Sequence, residues 1–323
     1  MCAAFMEFCA AFTERGEDKK RAAFFLEQKR KACARREECV GYTSGFINLN
    51  KPTGMSSAAA VSKVKRATGM PCGHMGTLDP LASGVLPVAV GNASRLFNYL
   101  LNKEKVYRAV FDFGVDTDTL DVTGAILREG APVPSEEEIG TVLPRFIGDI
   151  DQIPPAYSAK SVGGVRAYKL ARQGKEVELA AKRVHISDLQ LCGRVGAQSF
   201  EFLIRCGGGT YIRSLARDIA AACGTCAAMA SLVREKSGVF ALENSVAPEL
   251  LTRENWEQYR IAPELAFDFA AISFEGKTAE RLRNGLRAEC GAADGEYKLY
   301  LDGAFYGIAE VCGGLARAKV KLV

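Results

Sequence analysis

The chain has 323 residues, of which 48% are hydrophobic and 25% are charged, and its formal net charge is +4. This composition is ordinary for a globular protein and excludes a low-complexity or collagen-like chain. Every apolar stretch is interrupted well before the roughly 18 residues needed to cross a bilayer, so no membrane span is expected. The apolar first residues have no basic region before them, and we therefore expect a cytoplasmic protein without a secretory signal.

Eleven cysteines and two histidines are the residues that could form disulfides or bind a metal. The odd number and irregular spacing of the cysteines argue against a disulfide framework. Cys223 and Cys226 form a single CxxC pair, and His74 and His185 are far apart in the sequence. We therefore expect reduced thiols and no metal site.

The first residues mix aromatic, basic and acidic side chains without a defined amphipathic pattern, and we assign residues 1–44 to an N-terminal extension of unknown role. Order is predicted to begin with a short strand at Gly45–Pro52 that runs into a turn. Two serines then precede Ala58–Thr68, which is predicted as a capped helix that ends at Gly69.

The stretch Gly73–Gly91 contains the acidic residue with the most unusual surroundings. Asp79 is followed by Pro80, which disfavours a helical backbone at Asp79 and places its carboxylate in a loop with apolar neighbours. Val85–Val90 is an unbroken apolar run between two glycines, which is typical of a strand buried on both faces. A carboxylate at the end of such a strand is held rigidly, as catalysis requires, although an Asp-Pro turn without catalytic function explains the same local pattern.

A further strand is predicted at Lys105–Phe113, where alternation places Tyr107 on the same buried-type face as Phe111. The segment that follows, Asp116–Gly124, is rich in Asp and Thr. It lacks the central glycine and the final glutamate of an EF-hand loop, so we interpret it as a loop with internal hydrogen bonds.

The densest basic stretch of the chain lies between Pro154 and Arg183, where tyrosines are interleaved with the cations. Its basic residues are Lys160, Arg166, Lys169, Arg172, Lys175, Lys182 and Arg183. Such a stretch is typical either of a solvated helix face or of an RNA-contacting segment, in which cations meet phosphates and rings stack on bases. This segment by itself favours neither alternative.

Val184–Leu191 and Ser199–Cys206 both alternate and are predicted to form a hairpin. A glycine-rich turn then leads into a predicted helix at Thr210–Ala220, with Thr210 as its N-cap. Arg213 lies in the first turn of this helix, where the helix dipole favours an acidic residue. The position of Arg213 therefore indicates that it pairs with a buried anionic group. The alternative interpretation is that Arg213 is an ordinary surface arginine.

The composition becomes that of a small β-rich unit from about residue 272, and the region before it, Pro248–Phe269, is predicted to be helical. We therefore divide the chain after the extension into three parts. These are a main domain at residues 45–250, a helical connector at residues 251–271 and a small domain at residues 272–323.

Seven ordered segments carry a resemblance to a known family. They are Gly45–Pro52, Gly73–Pro80, Lys105–Arg108, Thr117–Thr119, Pro154–Lys160, Arg166–Tyr168 and Gly209–Arg213. Together they resemble the TruB-type tRNA pseudouridine synthases in their stand-alone bacterial form. Met75 departs from the pattern, which more often has a small residue such as Thr at this position. The C-terminal unit is similar, more weakly, to the PUA-like RNA-binding domain of the same family.

The resemblance implies an α+β fold with a mixed, largely antiparallel central sheet flanked by helices and followed by the PUA-like domain. It also implies isomerisation of uridine 55 in the T-loop of tRNA without a cofactor, with the insertion at residues 154–183 clamping the T-arm. In this interpretation Asp79 is the catalytic nucleophile, Tyr107 lies against the target base, and Arg213 pairs with Asp79. The residues implied in substrate binding are His74, Tyr211, Lys160, Arg166 and Lys169.

Two alternative functions stay open. One is a tRNA-binding or folding protein whose role does not need catalysis. The other is a guide-RNA-dependent enzyme that modifies ribosomal RNA within a multiprotein particle. We favour the stand-alone enzyme because the chain has no long Lys-rich tail. The expected protein is then a monomer that acts on tRNA without an obligatory protein partner and without a membrane.

Overall fold

The computed structural model describes residues 44–158, 161–162, 165–166, 173 and 179–322. The residues before Ser44, which make up nearly all of the predicted N-terminal extension, lie outside this range. In the described part the strands are β1 (Gly45–Lys51), β2 (Cys72–His74), β3 (Ser83–Val90), β4 (Lys105–Phe113), β5 (Asp116–Thr117), β6 (Ile126–Arg128), β7 (Gly148–Gln152), β8 (Ser161–Val162), β9 (Val165–Arg166), β10 (Lys182–Arg194), β11 (Ser199–Cys206), β12 (Ala227–Ser237), β13 (Phe240–Ala241), β14 (Arg260–Ile261), β15 (Ala271–Phe274), β16 (Ala288–Glu289), β17 (Gly295–Leu301), β18 (Ala304–Cys312) and β19 (Leu315–Lys321).

The α-helices of the same residues are α1 (Ser57–Thr68), α2 (Phe97–Leu101), α3 (Glu136–Val142), α4 (Ile212–Ala222), α5 (Trp256–Tyr259) and α6 (Gly276–Arg283). Short 3-10 segments lie at Gly91–Leu96, Leu143–Phe146, Leu242–Asn244, Pro248–Leu250 and Pro263–Ala266. Over the residues that the structure describes, no helix combines the length and apolar character that a membrane crossing requires.

The main sheet has the strand order β14-β1-β3-β12-β4-β11-β10-β7, with β2 paired to β3 and β13 paired to β12. Strands β3 and β12 are parallel, and the other neighbours in this sheet are antiparallel. The β10–β11 hairpin confirms the one predicted from the alternation of its two segments. The predicted α+β class with a mixed, largely antiparallel sheet is therefore confirmed.

Helix α1 ends where its sequence predicts and begins one residue earlier, at Ser57. Ser56 is the N-cap, and its hydroxyl accepts a hydrogen bond from the Ala59 N–H at 3.1 Å. Gly69 ends the helix in the left-handed region, with φ of 70°, and its N–H donates to the carbonyl oxygen of Lys65. These caps place Ser57, the first helical residue, in the interior beside the turn that carries Asp79.

The inner face of β4 forms the centre of the main core. Tyr107 and Phe111 are buried on this face, as the alternation predicts. The Phe111 ring stacks on Phe202 of β11, with the ring centroids 4.6 Å apart. Leu215 and Ile219 of α4 belong to the same hydrophobic cluster, so the helix that carries Arg213 is anchored to the sheet beneath it.

Strand β12 lies between β3 and β4 at the centre of the sheet and has no counterpart among the predicted elements. Its sequence, Ala-Ala-Met-Ala followed by a charged Arg-Glu-Lys segment, has few of the β-branched and aromatic residues that favour strands. Its stability comes from pairing with β4 over almost its whole length and from its parallel contact with β3. The strand is thus decided by distant partners and not by local propensity.

Gly84→Ala is expected to lower the free energy of unfolding by about 3 kcal/mol. Gly84 has φ of +97°, and an added Cβ would clash with the carbonyl oxygen of Arg234 on β12. Urea denaturation followed by circular dichroism measures the change. Gly73→Ala is the matched control, because Gly73 lies on the adjacent strand β2 and its added Cβ would meet no atom within 4 Å. Equal stability of the two variants would contradict the prediction.

The C-terminal sheet has the order β15-β17-β18-β19-β16. Leu282 of α6 packs with Leu299 and Leu301 of β17 in its own small core. This β-rich unit is consistent with the PUA-like domain that the resemblance implies. The interval predicted as a helical connector contains the four-residue helix α5, a 3-10 segment and β14, which adds to the main sheet beside β1.

Polar contacts join the C-terminal sheet to the segment after β3. The Asn92 side-chain amide donates to the carbonyl oxygen of Leu322 at 3.0 Å, and Arg95 Nη1 donates to the carbonyl oxygen of Lys321 at 2.7 Å. Tyr99 on α2 donates its hydroxyl hydrogen to Glu296 at 3.0 Å. The segment Gly91–Leu101 therefore connects the main sheet to the C-terminal unit.

Candidate active site

Asp79 lies in the turn between β2 and β3, outside any helix, as the following proline predicts. Ser57 holds this turn from α1, because its hydroxyl donates to the carbonyl oxygen of Leu78 at 2.7 Å and accepts the Leu78 N–H at 2.9 Å. The Asp79 side chain is 37% exposed. A ligand can therefore reach the carboxylate, while the backbone that carries it is tied to a buried residue.

Arg213 is the counter-ion of Asp79. Its Nε lies 2.9 Å from Asp79 Oδ2, and its Nη1 lies 3.6 Å from Asp121 Oδ2. The Arg213 side chain is only 7% exposed. The buried anionic partner predicted from the position of Arg213 is therefore confirmed, and the alternative of a surface arginine is wrong.

The remaining donors of Arg213 bind backbone oxygens. Nη1 donates to the carbonyl oxygen of Thr119 at 2.8 Å, and Nη2 donates to that of Tyr157 at 3.0 Å. With two carboxylates and two carbonyls around it, the guanidinium has little freedom to rotate. Arg213 thus links the Asp79 turn, the loop after β4 and the segment after β7.

The helix that carries Arg213 begins differently from the prediction. Helix α4 starts at Ile212 with Tyr211 as the N-cap residue, so the predicted N-cap Thr210 is wrong. The Thr210 hydroxyl instead donates to the carbonyl oxygen of Gly207 at 3.2 Å. A residue of β7, Gln152, caps the helix from a distance, since its Oε1 accepts the Tyr211 N–H at 2.8 Å. Local sequence does not contain this contact.

The loop Asp116–Gly124 is hydrogen-bonded internally, as predicted. Asp121 Oδ1 accepts hydrogen bonds from the Thr119 hydroxyl at 2.9 Å and from the Thr123 N–H at 3.0 Å. Leu120, between them, has φ of 62°, a left-handed conformation that is strained for a residue with a side chain. The loop turns Asp121 towards Arg213, a role that the sequence did not indicate for this acid.

Tyr107 shares the environment of this ion pair. Burial raises the pKa of its phenol, and the negative charge of Asp79 contributes to the same rise, whereas the Arg234 guanidinium lowers it. Tyr107 is directly opposite Arg234 in the register of β4 and β12, and Arg234 donates to the carbonyl oxygen of Gly76 in the Asp79 turn at 3.1 Å. Asp79, Tyr107 and Arg213, which are far apart in the sequence, are therefore brought together.

His74 and Tyr211 flank the same site. His74 is the last residue of β2, and its Nδ1 is buried without a hydrogen-bond partner among the described residues. Burial, and then the charge of Arg234, lower the pKa of His74 and favour its neutral form. Burial raises the pKa of the Tyr211 phenol, and the Asp79 charge contributes to this rise. Tyr211 is thus within electrostatic reach of Asp79, and His74 is within reach of Arg234.

Lys51 is a buried cation beside Asp79 to which the sequence assigned no role. It is fully buried at the end of β1, and its Nζ donates to the carbonyl oxygens of Met55 at 2.7 Å and Pro80 at 3.4 Å. Burial lowers the pKa of Lys51 to about 8, while Asp79 raises it and Arg234 lowers it further. The Lys-Pro-Thr-Gly sequence signals a turn but not a buried ammonium group.

Lys51 is expected to make the stability of the protein depend on pH. The pKa of Lys51 is about 8 in the folded protein against 10.5 for an ordinary lysine, so the unfolded chain binds more protons between these values. Raising the pH through this window therefore stabilises wild type relative to Lys51→Met, by up to about 3 kcal/mol. Below about pH 8, Lys51 is protonated in both the folded and the unfolded state, so the difference in unfolding free energy between wild type and Lys51→Met is constant. Urea unfolding of both proteins from about pH 7 to about pH 10 measures this, and a constant difference throughout would contradict it.

The other predicted RNA-binding residues are not placed at the site by the structure. Arg166 belongs to β9, which pairs with β8 in a two-stranded hairpin, and nothing is described of its side chain. Lys160 and Lys169 lie outside the described residues. Their roles stay predictions. Among the described residues, no group of three or more His, Cys, Asp or Glu side chains is arranged to hold a metal ion.

The fold matches those of solved structures over most of both chains. A chain in the crystal structure of a Cbf5-Nop10-Gar1 complex matches with a TM-score of 0.66 and 22% identity, over 86% of this chain and 85% of that chain. One in an archaeal box H/ACA sRNP Nop10-Cbf5 complex matches with a TM-score of 0.63 and 23% identity, over 86% of both chains. This chain therefore shares its overall fold with these two solved chains.

The particular family follows from the sequence comparisons. Residues 64–212 match the model of the TruB family pseudouridylate synthase (N terminal domain). A tRNA pseudouridine synthase B from Acaryochloris marina is 41% identical over 289 residues, which cover 86% of this chain and 98% of that protein. One from Caulobacter vibrioides is 40% identical over 248 residues, which cover 75% of this chain and 80% of that protein. The chain therefore belongs to the TruB family of pseudouridylate synthases and is an isomerase, which confirms the predicted family and enzyme class.

Proposed function

We propose that this protein converts uridine 55 in the T-loop of tRNA to pseudouridine, with Asp79 as its catalytic nucleophile. The observation that carries the proposal is the carboxylate of Asp79, accessible to a ligand and held 2.9 Å from the buried Arg213 in a TruB-family chain. The charged hydrogen bond from Arg213 holds the carboxylate in one orientation, as a nucleophile or base requires.

The reaction is an isomerisation whose atoms balance without a co-reactant. The bond between N1 of uracil and C1′ of ribose breaks, the detached base rotates, and a bond between C5 and C1′ forms. C5 then loses its proton and N1 gains one. Asp79 assists the first step by attacking C1′ or by removing the proton from C2′, and both routes need a carboxylate. On the first route the ester bond between Asp79 and C1′ breaks when C5 bonds to C1′. On the second route Asp79 returns the proton to C2′ as the C5–C1′ bond forms.

Tyr107 and the basic insertion offset the cost of exposing the base. A uridine in a folded loop must leave its stack to reach Asp79, which costs on the order of a few kcal/mol. Stacking against an aromatic ring such as that of Tyr107 contributes about 1–3 kcal/mol per base. His74 and Tyr211 would line the space that the base enters, and the cations of residues 154–183 would bind phosphates of the T-arm.

The proposed enzyme acts as a monomer in the cytoplasm and needs no protein partner. Support for independent action comes from the pairing of Asp79 with Arg213, the two charged groups proposed for the chemistry, within one chain. The solved structures with the same fold contain Nop10 with Cbf5. The proposal therefore requires a test in which no other protein or RNA is present.

The test is incubation of the purified chain with an unmodified tRNA transcript, followed by mapping of pseudouridine at single-nucleotide resolution. We expect one modified position, uridine 55, and no product from a transcript with cytidine at this position. Modification at another uridine would overturn the proposed position. Product formed only after addition of a guide RNA or partner proteins would instead support the guide-RNA-dependent alternative.

A further inference from the structure

Arg234 is a buried cation for which the proposed reaction has no role. It lies on β12 at the centre of the main sheet, between Gly84 of β3 and Tyr107 of β4. Only 1% of its surface is exposed, and it is among the largest fully buried side chains. None of the ion pairs formed by the described residues includes Arg234. Its guanidinium is instead stabilised by hydrogen bonds to neutral carbonyl oxygens.

The guanidinium binds the backbone that leads into Asp79. Its Nη2 donates to the carbonyl oxygen of Gly76 at 3.1 Å, and its Nη1 lies 3.5 Å from that of Thr77. These residues precede Asp79 in the same turn. Nε donates to the carbonyl oxygen of Val85 at 2.7 Å, where the chain enters β3 after the turn. Both sides of the Asp79 turn are therefore held by one side chain.

The same residue is the cross-strand neighbour of Tyr107, because Tyr107 and Arg234 are directly opposite each other in the register of β4 and β12. The charge of Arg234 lowers the pKa of the Tyr107 phenol against the larger, raising effect of burial. Arg234 thus binds the turn that carries Asp79 and lies beside the ring expected to contact the base. Arg213, in comparison, binds the Asp79 carboxylate itself.

Stability alone does not account for a buried arginine in this position. A buried charge without a counter-ion is costly, and an apolar side chain of similar volume is often at least as stabilising. The planar guanidinium, however, presents its donors at fixed angles and can hold several acceptors in one arrangement. Its charge also strengthens each of these hydrogen bonds.

We propose that Arg234 is a positioning residue that fixes the Asp79 turn and the Tyr107 phenol relative to each other. This inference rests on the proposed catalytic roles of Asp79 and Tyr107. Misplacement of a catalytic group by about 1 Å costs about 100-fold in rate, and a comparable loss is expected when the guanidinium is replaced.

The deciding variant is Arg234→Lys, which keeps the charge and most of the volume but cannot bind the carbonyl oxygens of Gly76, Thr77 and Val85 together. Under single-turnover conditions with excess enzyme, the rate of pseudouridine formation should fall about 100-fold, while the Kd for tRNA stays within about twofold. In a Tyr107→Phe background the same substitution should cost less than about fivefold, because the two residues act as a unit. Arg108→Lys is the matched control, as Arg108 lies next to Tyr107 on β4 but pairs with the surface residues Glu201 and Glu235.

Each outcome decides between the proposals. An inactive wild type would refute the proposed function and not the role of Arg234. An active wild type together with a folded Arg234→Lys variant as active as Arg108→Lys would overturn the inference. A loss confined to tRNA affinity would also overturn it, as would full additivity with Tyr107→Phe. Failure of Arg234→Lys to fold, seen by circular dichroism while Arg108→Lys folds, would assign Arg234 to the core and refute a positioning role.

Discussion

Asp79→Asn is expected to abolish pseudouridine formation, with a rate at least about 10⁴-fold below wild type, because a neutral amide is neither a nucleophile nor a base. The substitution changes almost no volume and keeps a side chain that can still contact Arg213. Binding of tRNA should therefore persist with a Kd within about threefold of wild type, since phosphate contacts dominate affinity. Single-turnover assays and filter binding on the same protein preparation separate the two quantities.

The variant is also expected to fold. Arg213 keeps its hydrogen bonds to the carbonyl oxygens of Thr119 and Tyr157 and its contact with Asp121 when the charge of Asp79 is removed. Asp188→Asn is the matched control, because Asp188 forms a 3.7 Å ion pair with Arg205 on the β10–β11 hairpin. This control should retain full activity. If Asp79→Asn folds and binds tRNA like wild type and still forms substantial pseudouridine, the catalytic role of Asp79 is contradicted.

The same variant distinguishes the enzyme from a tRNA-binding or folding protein. If catalysis is the biological role, a strain that lacks the gene should not be rescued by Asp79→Asn. Full rescue by this variant, with pseudouridine absent from its tRNA, would show that the protein works through binding. The Asp188→Asn protein serves here as the expression-matched positive control.

Arg213→Met is expected to have the second largest effect, a loss of about 10³-fold in rate, because it removes the buried cation that pairs with the Asp79 carboxylate and holds it in place. It also leaves Asp121, whose side chain is 7% exposed, without its cation. Loss of one partner from such a buried pair costs about 3–5 kcal/mol of unfolding free energy. Both the single-turnover rate and the urea midpoint should therefore fall.

Arg213→Lys keeps the charge but lacks the planar guanidinium group, so it cannot bind two carboxylates and two carbonyl oxygens at the same time. We expect an intermediate loss of about 100-fold in rate with a smaller loss of stability. Arg217→Met is the matched control on the same helix, since Arg217 is half-buried and pairs with its neighbour Asp218 at 2.8 Å. An Arg213→Met protein that is as active as this control would contradict the proposed pairing.

Much of the local structure could be predicted because its causes are local. The alternation of Lys105–Phe113 places Tyr107 on the inner face of the sheet, and packing of that face confirms it. Ser56 and Gly69 mark the ends of α1 by cap chemistry that involves only nearby residues. Pro80 likewise keeps Asp79 out of a helix. Each of these features depends on a few residues along the chain.

The features that the sequence did not predict depend on residues that are distant along the chain. Strand β12 has weak strand propensity and exists because β3 and β4 pair with it on both sides. Thr210 resembles an N-cap, but Gln152 from β7 binds the first N–H instead. Asp121, Lys51 and Arg234 are ordinary polar residues in the sequence, and only the folded chain buries them around Asp79.

By itself the sequence determined the family, the α+β class and the acid, ring and cation expected to carry the chemistry, because these depend on residue identity and short-range order. The tertiary structure decided which charges surround the Asp79 turn, namely Arg213 with Asp121 on one side and the buried cation Arg234 on the other. The physical reason is that the energy of a buried charge depends on its neighbours in space and on its exclusion from water. Neither quantity can be read from positions along the chain.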